Sequence, residues 1–409
     1  MRAPCSGPGA RPTVLHLAQP VDGGVARVVA DLVEAQVRDG YRAVVACPGG
    51  GLAEAASAAG AEALRWQAVR EPGACLAAEV FAAARLVRRV RPDLVHLHSA
   101  KAGLAGRLAV RGKVPTVFQP HAWSFEAVRG SAAEAARAWE RYAVRWTDRV
   151  LCVSESERRT GLRAGVRASW AVVHNGVRIA PGADAPGDGA DPASRRPARR
   201  AGLAALRDVP PEAPLVVCVG RLCEQKGQEL LLAAWPRIAA RAPGARLALV
   251  GDGPYRRRLA RLAPYGTVFA GDAQHVGPWY EAADVVVLPS RWEGMALMPL
   301  EAMACGRPVV VTDVGGARES LPPRLREPCL VPAGDVDALA TAVARLLEDP
   351  LLCAELGAAA RRHVRAEFDV RRAAARVALL YGELLAARSA RTGGSAAGHR
   401  TGVRRVAVR

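Results

Sequence analysis

Lysine and asparagine are almost absent from this sequence of 409 residues. Lysine occurs only at Lys101, Lys113 and Lys226, so 54 of the 57 basic side chains (57 minus 3) are arginine, and asparagine occurs only at Asn175. A genome that favours arginine and alanine codons produces such a composition. Because a solvated surface accepts arginine or aspartate equally well, each remaining lysine or asparagine is weak evidence for a specific role.

Long apolar runs and paired cysteines are also missing. No run approaches the roughly 18 apolar residues that a membrane-spanning helix needs, although apolar residues make up 50% of the chain. The first residues lack the continuous apolar core of a secretory signal, and the nine cysteines include no CxxC pair. We therefore expect a soluble, cytoplasmic protein with free buried thiols and without a structural zinc ion.

The charge is strongly unbalanced, because 57 basic residues face 39 acidic ones and the formal net charge is +18. This excess of positive charge predicts a polyanionic partner. The candidates are nucleic acid, an anionic membrane surface and a phosphorylated substrate. The basic residues are spread along helices, and no recognisable RNA- or DNA-binding module is present. We therefore predict no nucleic-acid partner.

Short apolar runs alternate with helical patterns along the chain, which is typical of βαβ units and parallel sheets. The length exceeds what one core usually supports, so the pattern predicts an α/β protein with two doubly wound lobes and a cleft between them. The predicted strands are 14–18, 43–46, 94–97, 116–118, 149–153 and 170–173 in the first lobe, and 215–219, 247–250, 268–270, 285–288 and 308–311 in the second.

Composition changes mark the predicted boundaries of these lobes. The first lobe covers 1–180, and a segment rich in Pro, Gly, Asp and Arg at 181–214 reads as a linker with at most one short helix. The second lobe covers 215–369, and a last helix follows at about 370–387. Residues 388–409 include six arginines and no acid, so we predict a disordered basic tail.

The strongest motif places Glu293 and Glu301 eight positions apart, after a buried strand that ends in Leu-Pro-Ser. Glu293 is expected in the loop and Glu301 in the helix that follows. The intervening backbone N–H groups, at Gly294, Met295, Ala296 and Leu297, face the cleft at the positive end of the helix dipole. A diphosphate suits this geometry, and Glu301 is placed to accept both hydrogen bonds of a ribose diol. The ordinary alternative is a solvated helix cap with one surface glutamate.

A second loop follows the strand at 215–219 and reads Gly220-Arg221-Leu222-Cys223-Glu224-Gln225-Lys226-Gly227. Arg221 offers a planar fork and Lys226 a compact charge, so both are candidates for binding a pyrophosphate. The alternative is two ordinary charged residues in a βα loop. The GxxxxGK[ST] pattern is missing, which disfavours kinase or ATPase chemistry.

Two polar loops of the first lobe complete the candidate site. Gly23 and Gly24 stand where the first helix begins, and this permits close backbone approach to a phosphate or sugar, although a plain tight turn explains them too. His121, Trp123 and Phe125 follow the strand at 116–118. His121 is a candidate for hydrogen-bonding a sugar hydroxyl, with a purely structural histidine as the alternative, and the two aromatic side chains are candidates for lining the cleft.

Three further polar residues lie around another strand end. His96, His98 and Lys101 either meet an acceptor or simply finish the strand, and the sequence does not decide between these alternatives. Asn175 is expected to adopt a left-handed turn at the hinge between the lobes, since asparagine tolerates that conformation.

These residues resemble a known family, the retaining glycosyltransferases of family 4, which have the GT-B fold of two Rossmann-like lobes. The likeness runs through Gly23-Gly24, HAWSFE (121–126), HNGV (174–177), GRLCEQKG (220–227), GDGP (251–254) and the Glu-x7-Glu element. The resemblance implies that Arg221 and Lys226 bind the donor diphosphate and Glu301 the ribose. It also implies that Glu293, the backbone after it and His121 bind the donor sugar, and that the final helix returns to the first lobe. The family usually has Gly where Ala122 stands and often Asp where Arg178 stands.

The expected function is transfer of a sugar from a nucleotide-diphosphate donor to a glycan or lipid-linked acceptor. Cations and helix dipoles can stabilise the departing diphosphate, and no Asp-x-Asp clamp lies near the cleft motifs, so we expect no metal and no cofactor. A nucleotide-sugar epimerase of the same fold and, less favoured, a basic nucleic-acid-binding protein are the alternatives.

A helical segment at 131–149 suggests a membrane-facing surface. Arg137, Arg141 and Arg145 recur every four residues, while the aromatic residues Trp139, Tyr142 and Trp146 occupy another face. Such a helix is suited to anionic lipid, and it predicts a peripheral association with the inner membrane face. The alternative is an aromatic core face and a solvated arginine face.

Overall fold

The computed structural model describes residues 11–69, 73–179, 196–273 and 275–397. Two parallel sheets, one of seven and one of six strands, form the centres of two lobes. Their central strands are buried on both faces, as in β8, whose five residues Leu-Val-Val-Cys-Val are all buried. This double burial explains why the strands read as continuous apolar runs in the sequence.

The first sheet has the strand order β3-β2-β1-β4-β5-β6-β7. Its order reverses between β1 and β4, where His16 lies opposite His96 in the parallel register. The strands are β1 (Thr13–Ala18), β2 (Arg42–Cys47), β3 (Glu62–Arg65), β4 (Leu94–His98), β5 (Thr116–Gln119), β6 (Arg149–Cys152) and β7 (Trp170–Val172). The α-helices between them are α1 (Gly23–Arg38), α2 (Gly51–Ala58), α3 (Leu76–Val90), α4 (Ser99–Val110), α5 (Gly130–Ala143) and α6 (Glu155–Arg163).

The second sheet has the order β10-β9-β8-β11-β12-β13 and reverses between β8 and β11. Its strands are β8 (Leu215–Val219), β9 (Arg246–Val250), β10 (Val268–Gly271), β11 (Val285–Leu288), β12 (Val309–Thr312) and β13 (Leu330–Val331). The α-helices from the linker onward are α7 (Arg196–Ala201), α8 (Gln228–Arg241), α9 (Arg256–Leu262), α10 (Gly277–Ala282), α11 (Leu297–Ala304), α12 (Ala317–Ser320), α13 (Pro323–Cys329), α14 (Val336–Glu348), α15 (Pro350–Glu367) and α16 (Val370–Ala397).

The last helix, α16, packs against the first lobe although it follows the second in the chain. Val377, Leu380 and Tyr381 join the buried cluster that contains Val14 and Leu94 of the first sheet. The helix continues without a break to Ala397, so the prediction of disorder from residue 388 is wrong for 388–397. Residues 398–409 of the predicted tail lie outside the described residues.

The linker is structured where it is described. Arg200 of α7 is 4% exposed, and it donates to the backbone carbonyls of Ala282 and Pro211 and to the carboxylate of Asp284. Residues 196–214 therefore pack on the second lobe, whereas 180–195 lie outside the described residues.

Two further expectations concern cysteines and membrane helices. All eight cysteines in the described ranges are free, and the prediction of free buried thiols is confirmed for the five that are buried. Cys75 is exposed, and Cys223 and Cys305 are half-buried. Among the same residues, no helix is both long and apolar enough to cross a bilayer.

Candidate functional site

The carboxyl ends of β8 and β11 lie side by side at the reversal point of the second sheet, where ligands bind in open α/β folds. Gly227, in the loop after β8, has φ +61°, and a Cβ there would lie 2.2 Å from the carbonyl oxygen of Pro289 at the end of β11. Only glycine fits this left-handed, crowded position. The two motif loops are therefore held against each other.

Glu293 lies at the centre of this junction, with its side chain 10% exposed. Its Oε1 accepts hydrogen bonds from Lys226 Nζ at 2.5 Å and from Ser290 Oγ at 2.8 Å. Its Oε2 lies 3.4 Å from Gln225 Nε2, the donor. The structure thus brings together the predicted residues Lys226 and Glu293, and it adds Ser290 and Gln225, which the sequence analysis did not identify.

Arg221 stands in the loop after β8 with its side chain exposed. Its backbone carbonyl accepts a hydrogen bond of 3.0 Å from the buried side chain of Gln228. This bond ties the loop to the first turn of α8. The Arg221 guanidinium is left at the surface of the same loop that carries Lys226.

Glu301 lies on α11 and is held by two donors. Tyr280 Oη donates to its Oε2 at 2.9 Å, and Arg27 of α1 donates to its Oε1 from the opposite lobe. Burial, and after it the charge of Glu301, hold the pKa of Tyr280 well above its usual range, so the phenol stays protonated and donates. Tyr280 and Arg27 were not among the predicted site residues.

The segment between the two glutamates lies where the lobes touch. A Cβ on Gly294 would lie 2.9 Å from both the carbonyl carbon of His121 and the nitrogen of Ala122, so glycine is required by this close approach. Gly294 O accepts from Ser154 Oγ at 3.0 Å, and Met295 O accepts from Asn175 Nδ2 at 2.7 Å. Backbone of the second lobe is thus fixed by side chains of the first.

Ala296 and Leu297 mark the start of α11, and the first lobe covers this helix end with its glycine loop. Ala296 is the N-cap residue, with extended backbone and no side-chain cap. A Cβ on Gly24 would lie 3.8 Å from Leu297 Cδ1, and Gly23 has φ +74° at the start of α1. The predicted Gly23-Gly24 loop therefore faces the predicted anion-binding end of α11 across the cleft.

His121 and Ala122 have unusual backbone conformations, with φ of +58° and +109°. Glu157 holds this turn, because its Oε1 accepts from Ala122 N at 2.6 Å and its Oε2 from Val153 N at 2.7 Å. Burial raises the pKa of Glu157 to about 7. The turn presents a partly exposed His121 to the second lobe, as predicted, but its supporting carboxylate was not identified from the sequence.

Trp123 and Phe125 do not line the cleft, so that prediction is wrong. Their side chains are 1% and 5% exposed, and the rings stack with centroids 5.4 Å apart inside the first lobe. Trp123 Nε1 donates to the carbonyl of Glu157 at 2.8 Å, which satisfies the indole within the core.

His96, His98 and Lys101 are also buried, at 0%, 0% and 3% exposure. Lys101 pairs with Glu79 at 2.8 Å, and both side chains are 2% exposed. These three side chains therefore belong to the interior of the first lobe, and they do not lie on the surface where an acceptor would bind. Among the described residues, His16, His96 and His98 form the one group of nitrogen, sulfur or carboxylate ligands that could hold a metal ion, with ligand atoms within 4.8 Å of one another.

Asn175 has a role at the hinge, but for a different reason from the one expected. It is not among the described residues with positive φ, and its side-chain amide instead donates to Met295 across the lobes. Nearby, Arg178, where the family often has Asp, binds Asp31 Oδ1 at 2.6 Å and Glu34 on α1. The substitution therefore ties the hinge to the first helix.

Glu319 is a further interlobe residue that the sequence analysis missed. It accepts from the backbone nitrogens of Glu155 and Ser156 at the start of α6, both at 2.8 Å, and lies 2.9 Å from His174 Nε2. The bond from His174 and those from the two backbone groups offset burial and lower its pKa. A carboxylate from the second lobe thus caps a helix of the first.

Comparison with known proteins matches both lobes to described families. Residues 213–349 match the family described as Glycosyl transferases group 1, and residues 22–180 match Glycosyltransferase Family 4. A GDP-mannose-dependent alpha-(1-6)-phosphatidylinositol monomannoside mannosyltransferase of Mycolicibacterium smegmatis is 37% identical over 221 residues, which are 49% of this chain and 55% of the relative.

Two other relatives extend the comparison. A GDP-mannose-dependent monoacylated alpha-(1-6)-phosphatidylinositol monomannoside mannosyltransferase of Corynebacterium glutamicum is 38% identical over 168 residues, 38% of this chain and 44% of the relative. The chain thus spans about half the length of these two mannosyltransferases. A glycogen synthase of Mycobacterium tuberculosis is 31% identical over 312 residues, which cover 72% of this chain and 69% of the relative.

Solved structures share the whole architecture. A sucrose-phosphate synthase from Thermosynechococcus elongatus superposes with a TM-score of 0.75 at 25% identity, over 92% of this chain and 100% of that one. This likeness, together with the two parallel sheets, confirms the predicted GT-B fold.

Proposed function

We propose, because this chain belongs to glycosyltransferase family 4, that it transfers a hexose from a nucleoside diphosphate sugar to a lipid-linked or glycan acceptor, with retention of anomeric configuration. One observation carries the proposal. Lys226 and Glu293 meet where β8 and β11 end, and Glu301 follows on α11, with His121 and the Gly23-Gly24 loop on the opposite side of the cleft.

The donor is expected to bind mainly to the second lobe. Lys226 has three N–H donors and gives one to Glu293, so two remain for a diphosphate, beside the exposed Arg221 and the start of α11. A carboxylate offers about four lone-pair positions. Tyr280 and Arg27 use two of those on Glu301, which leaves two for the 2′- and 3′-hydroxyls of a ribose.

The proposed reaction breaks the bond between the sugar C1 and the phosphate oxygen, and the bonding electrons leave with the nucleoside diphosphate. Lys226, Arg221 and the α11 dipole stabilise this negative charge. The acceptor oxygen bonds to C1 on the same face, and its proton passes to a phosphate oxygen. Glu293, already bound to Lys226 and Ser290, positions the sugar and is not required as a nucleophile. We expect this transfer to need no metal, so a chelator should leave the rate unchanged.

The donor and acceptor classes follow from the relatives. Two of them are named as GDP-mannose-dependent enzymes that act on phosphatidylinositol monomannosides. GDP-mannose is therefore the first donor to test, and a mannosylated phospholipid is the first acceptor.

A lipid-linked acceptor requires access to a membrane surface, for which the first lobe offers one candidate. Phe81 on α3 is 61% exposed and Tyr142 on α5 is 45% exposed, and Arg145 lies 3.8 Å over the Tyr142 ring. All three predicted arginines are engaged by protein groups, and Arg145 Nε donates to the carbonyl of Tyr142 at 3.0 Å. Arg137 pairs with Glu134, and Arg141 donates to the carbonyl of Ala164.

Vesicle co-sedimentation tests this surface. Binding should require anionic lipid, fall with salt, and weaken when Arg137, Arg141 and Arg145 are changed together to Gln. Changing Arg257, Arg258 and Arg261 of α9 together to Gln is the matched control, because these arginines lie on the second lobe. A protein that does not bind anionic vesicles even at low salt would contradict the membrane surface and favour a soluble acceptor.

The proposed function is tested by thermal protection followed by product analysis. Nucleoside diphosphate sugars are screened for protection against unfolding, and the protecting donor is incubated with the acceptor. Mass spectrometry should find an acceptor heavier by one hexose, and NMR should find the donor's anomeric configuration. Conversion of the donor sugar into its epimer without any acceptor would identify an epimerase instead.

A further inference from the structure

A line of side-chain hydrogen bonds runs from the cleft into the interior of the first lobe. His121 Nε2 lies 3.2 Å from His98 Nδ1, His98 Nε2 lies 3.0 Å from His16 Nδ1, and His16 Nε2 lies 2.8 Å from Gln36 Oε1. His16 and His98 are fully buried, and Gln36 is 5% exposed. Water therefore does not substitute for any of the inner contacts.

The far end of this line fixes its direction. Gln36 uses its amide nitrogen to donate to Tyr381 Oη of α16 at 3.4 Å, so its carbonyl oxygen faces His16. A carbonyl oxygen only accepts hydrogen bonds, so His16 carries its proton on Nε2. The crossing helix α16 thus determines which atom of Gln36 the histidine meets.

The remaining protons follow one by one. A neutral imidazole has one N–H donor and one acceptor nitrogen, so His16 Nδ1 accepts and His98 Nε2 donates. His98 Nδ1 then accepts, and His121 Nε2 donates. Burial lowers the pKa of His16 to about 4 and of His121 to about 3, and that of His98 well below its usual range, so all three rings are neutral near pH 7.

We propose that His98, His16 and Gln36 are positioning residues that hold His121 as the tautomer protonated at Nε2, which leaves its Nδ1 lone pair to accept a hydrogen bond from a sugar hydroxyl. The part that concerns the hydroxyl rests on the proposed transferase function. This role explains why the buried histidines His16 and His98 lie in a line that ends at the strained turn of His121. This tautomer also excludes His121 as an acid that protonates the leaving group, because Nδ1, the nitrogen that faces the sugar, carries no proton.

NMR of the protein with ¹⁵N-labelled histidine tests the tautomers without any substrate. The wild type should show His16, His98 and His121 protonated at Nε2. Gln36→Met removes the terminal acceptor while keeping the side-chain length, so His121 should become a mixture of tautomers. We expect kcat to fall about three- to tenfold, which corresponds to the loss of one hydrogen bond. The donor KM should change less.

Gln36→Glu is the second variant, because a buried carboxylate favours a doubly protonated His16. His16 Nδ1 then donates to His98, so His121 should shift to the tautomer protonated at Nδ1. A wild-type His121 protonated at Nδ1, or an unchanged tautomer and kcat in Gln36→Met, would overturn the proposal. So would a stoichiometric metal ion on His16, His96 and His98, because His16 and His98 then could not share a proton. Since the NMR signals need no substrate, absence of transfer would count against the proposed function alone.

Discussion

The two sides of the cleft are built in different ways. On the second lobe, Lys226 and Ser290 both contact Glu293 directly, and the three residues come from two loops at neighbouring strand ends. On the first lobe, His121 depends on residues from β1, α1, β4 and α16, and the last of these, Tyr381, follows His121 by 260 positions (381 minus 121).

This difference separates binding of the donor from positioning of the reacting groups. In the proposed function, charged residues of the second lobe bind a diphosphate through direct contacts, so single substitutions there should weaken binding. Residues of the first lobe act through one another, so substitutions there should change turnover more than binding. The following predictions test this separation.

Replacing Lys226 with Ala should have the largest effect. The variant loses a charge-assisted hydrogen bond to the diphosphate, worth roughly 1.5–3 kcal/mol, so kcat/KM should fall about ten- to a hundredfold. Arg241→Ala is the control, because its partner Glu348 lies on the surface of the same lobe, and it should leave kcat/KM unchanged. Wild-type kinetics in Lys226→Ala would remove the lysine from the donor site.

The buried histidines should make the first lobe sensitive to acid. The folded pKa of His16 is about 4, below its ordinary 6.5, so its contribution to stability is present above pH 6.5 and is lost as the pH falls toward 4. Between pH 6.5 and 5 this amounts to about 2 kcal/mol. His96, His98 and His121 act in the same direction.

Glu157 opposes this loss. Its folded pKa of about 7 lies above the ordinary 4.5, so its contribution is present below pH 4.5 and is lost as the pH rises through 7. Because four histidines outweigh one glutamate, the urea midpoint should still fall from pH 7 to pH 5. His121→Gln should flatten this dependence and the exposed control His275→Gln should not. A wild-type midpoint that rises toward pH 5 would contradict the account.

Tyr280→Phe should have a smaller effect on the second lobe. Tyr280 orients Glu301 through one hydrogen bond, and its loss is typically worth about 0.5–1.5 kcal/mol. Nucleoside diphosphate affinity should therefore fall about two- to tenfold in calorimetry. Tyr265→Phe, at a fully exposed tyrosine, is the control. Equal affinities in all three proteins would show that the hydrogen bond from Tyr280 does not orient Glu301 for nucleotide binding.

Ala122→Gly should slightly stabilise the first lobe. Ala122 has φ +109°, a conformation that glycine adopts without the cost of about 1–3 kcal/mol that other residues carry. After the larger entropy of an unfolded glycine is subtracted, we expect a gain of about 1 kcal/mol in unfolding free energy. Ala127, with φ −88°, is the control, and Ala127→Gly should lose stability. A loss in both variants would show that the turn is unstrained.

The sequence predicted the elements whose evidence is local. All eleven predicted strands exist, because each is a short, largely apolar run and the central ones are buried on both faces. β3 was missed, since Glu-Ala-Leu-Arg at a sheet edge has only two apolar residues, and β13 has only two residues in all. The loops with Lys226, Glu293 and Glu301 were found because the motif and its strand are adjacent in the chain.

Tertiary packing determined what the sequence could not predict. Trp123 was expected in the cleft, but Glu157, 34 residues later, supplies its hydrogen-bond acceptor inside the lobe. Asn175 was expected to adopt a left-handed backbone conformation. Its side chain instead donates to the carbonyl of Met295, which lies 120 positions away. Partners at such distances in the chain leave no periodic or local pattern.

Calorimetric titration of nucleoside diphosphate into Lys226→Ala and Gln36→Met tests the separation between the two sides of the cleft most directly. The account predicts that Lys226→Ala weakens binding about tenfold or more and that Gln36→Met binds as the wild type does, although its turnover is reduced. Equal weakening in both variants, or tight binding in Lys226→Ala, would contradict the assignment of the donor to the second lobe.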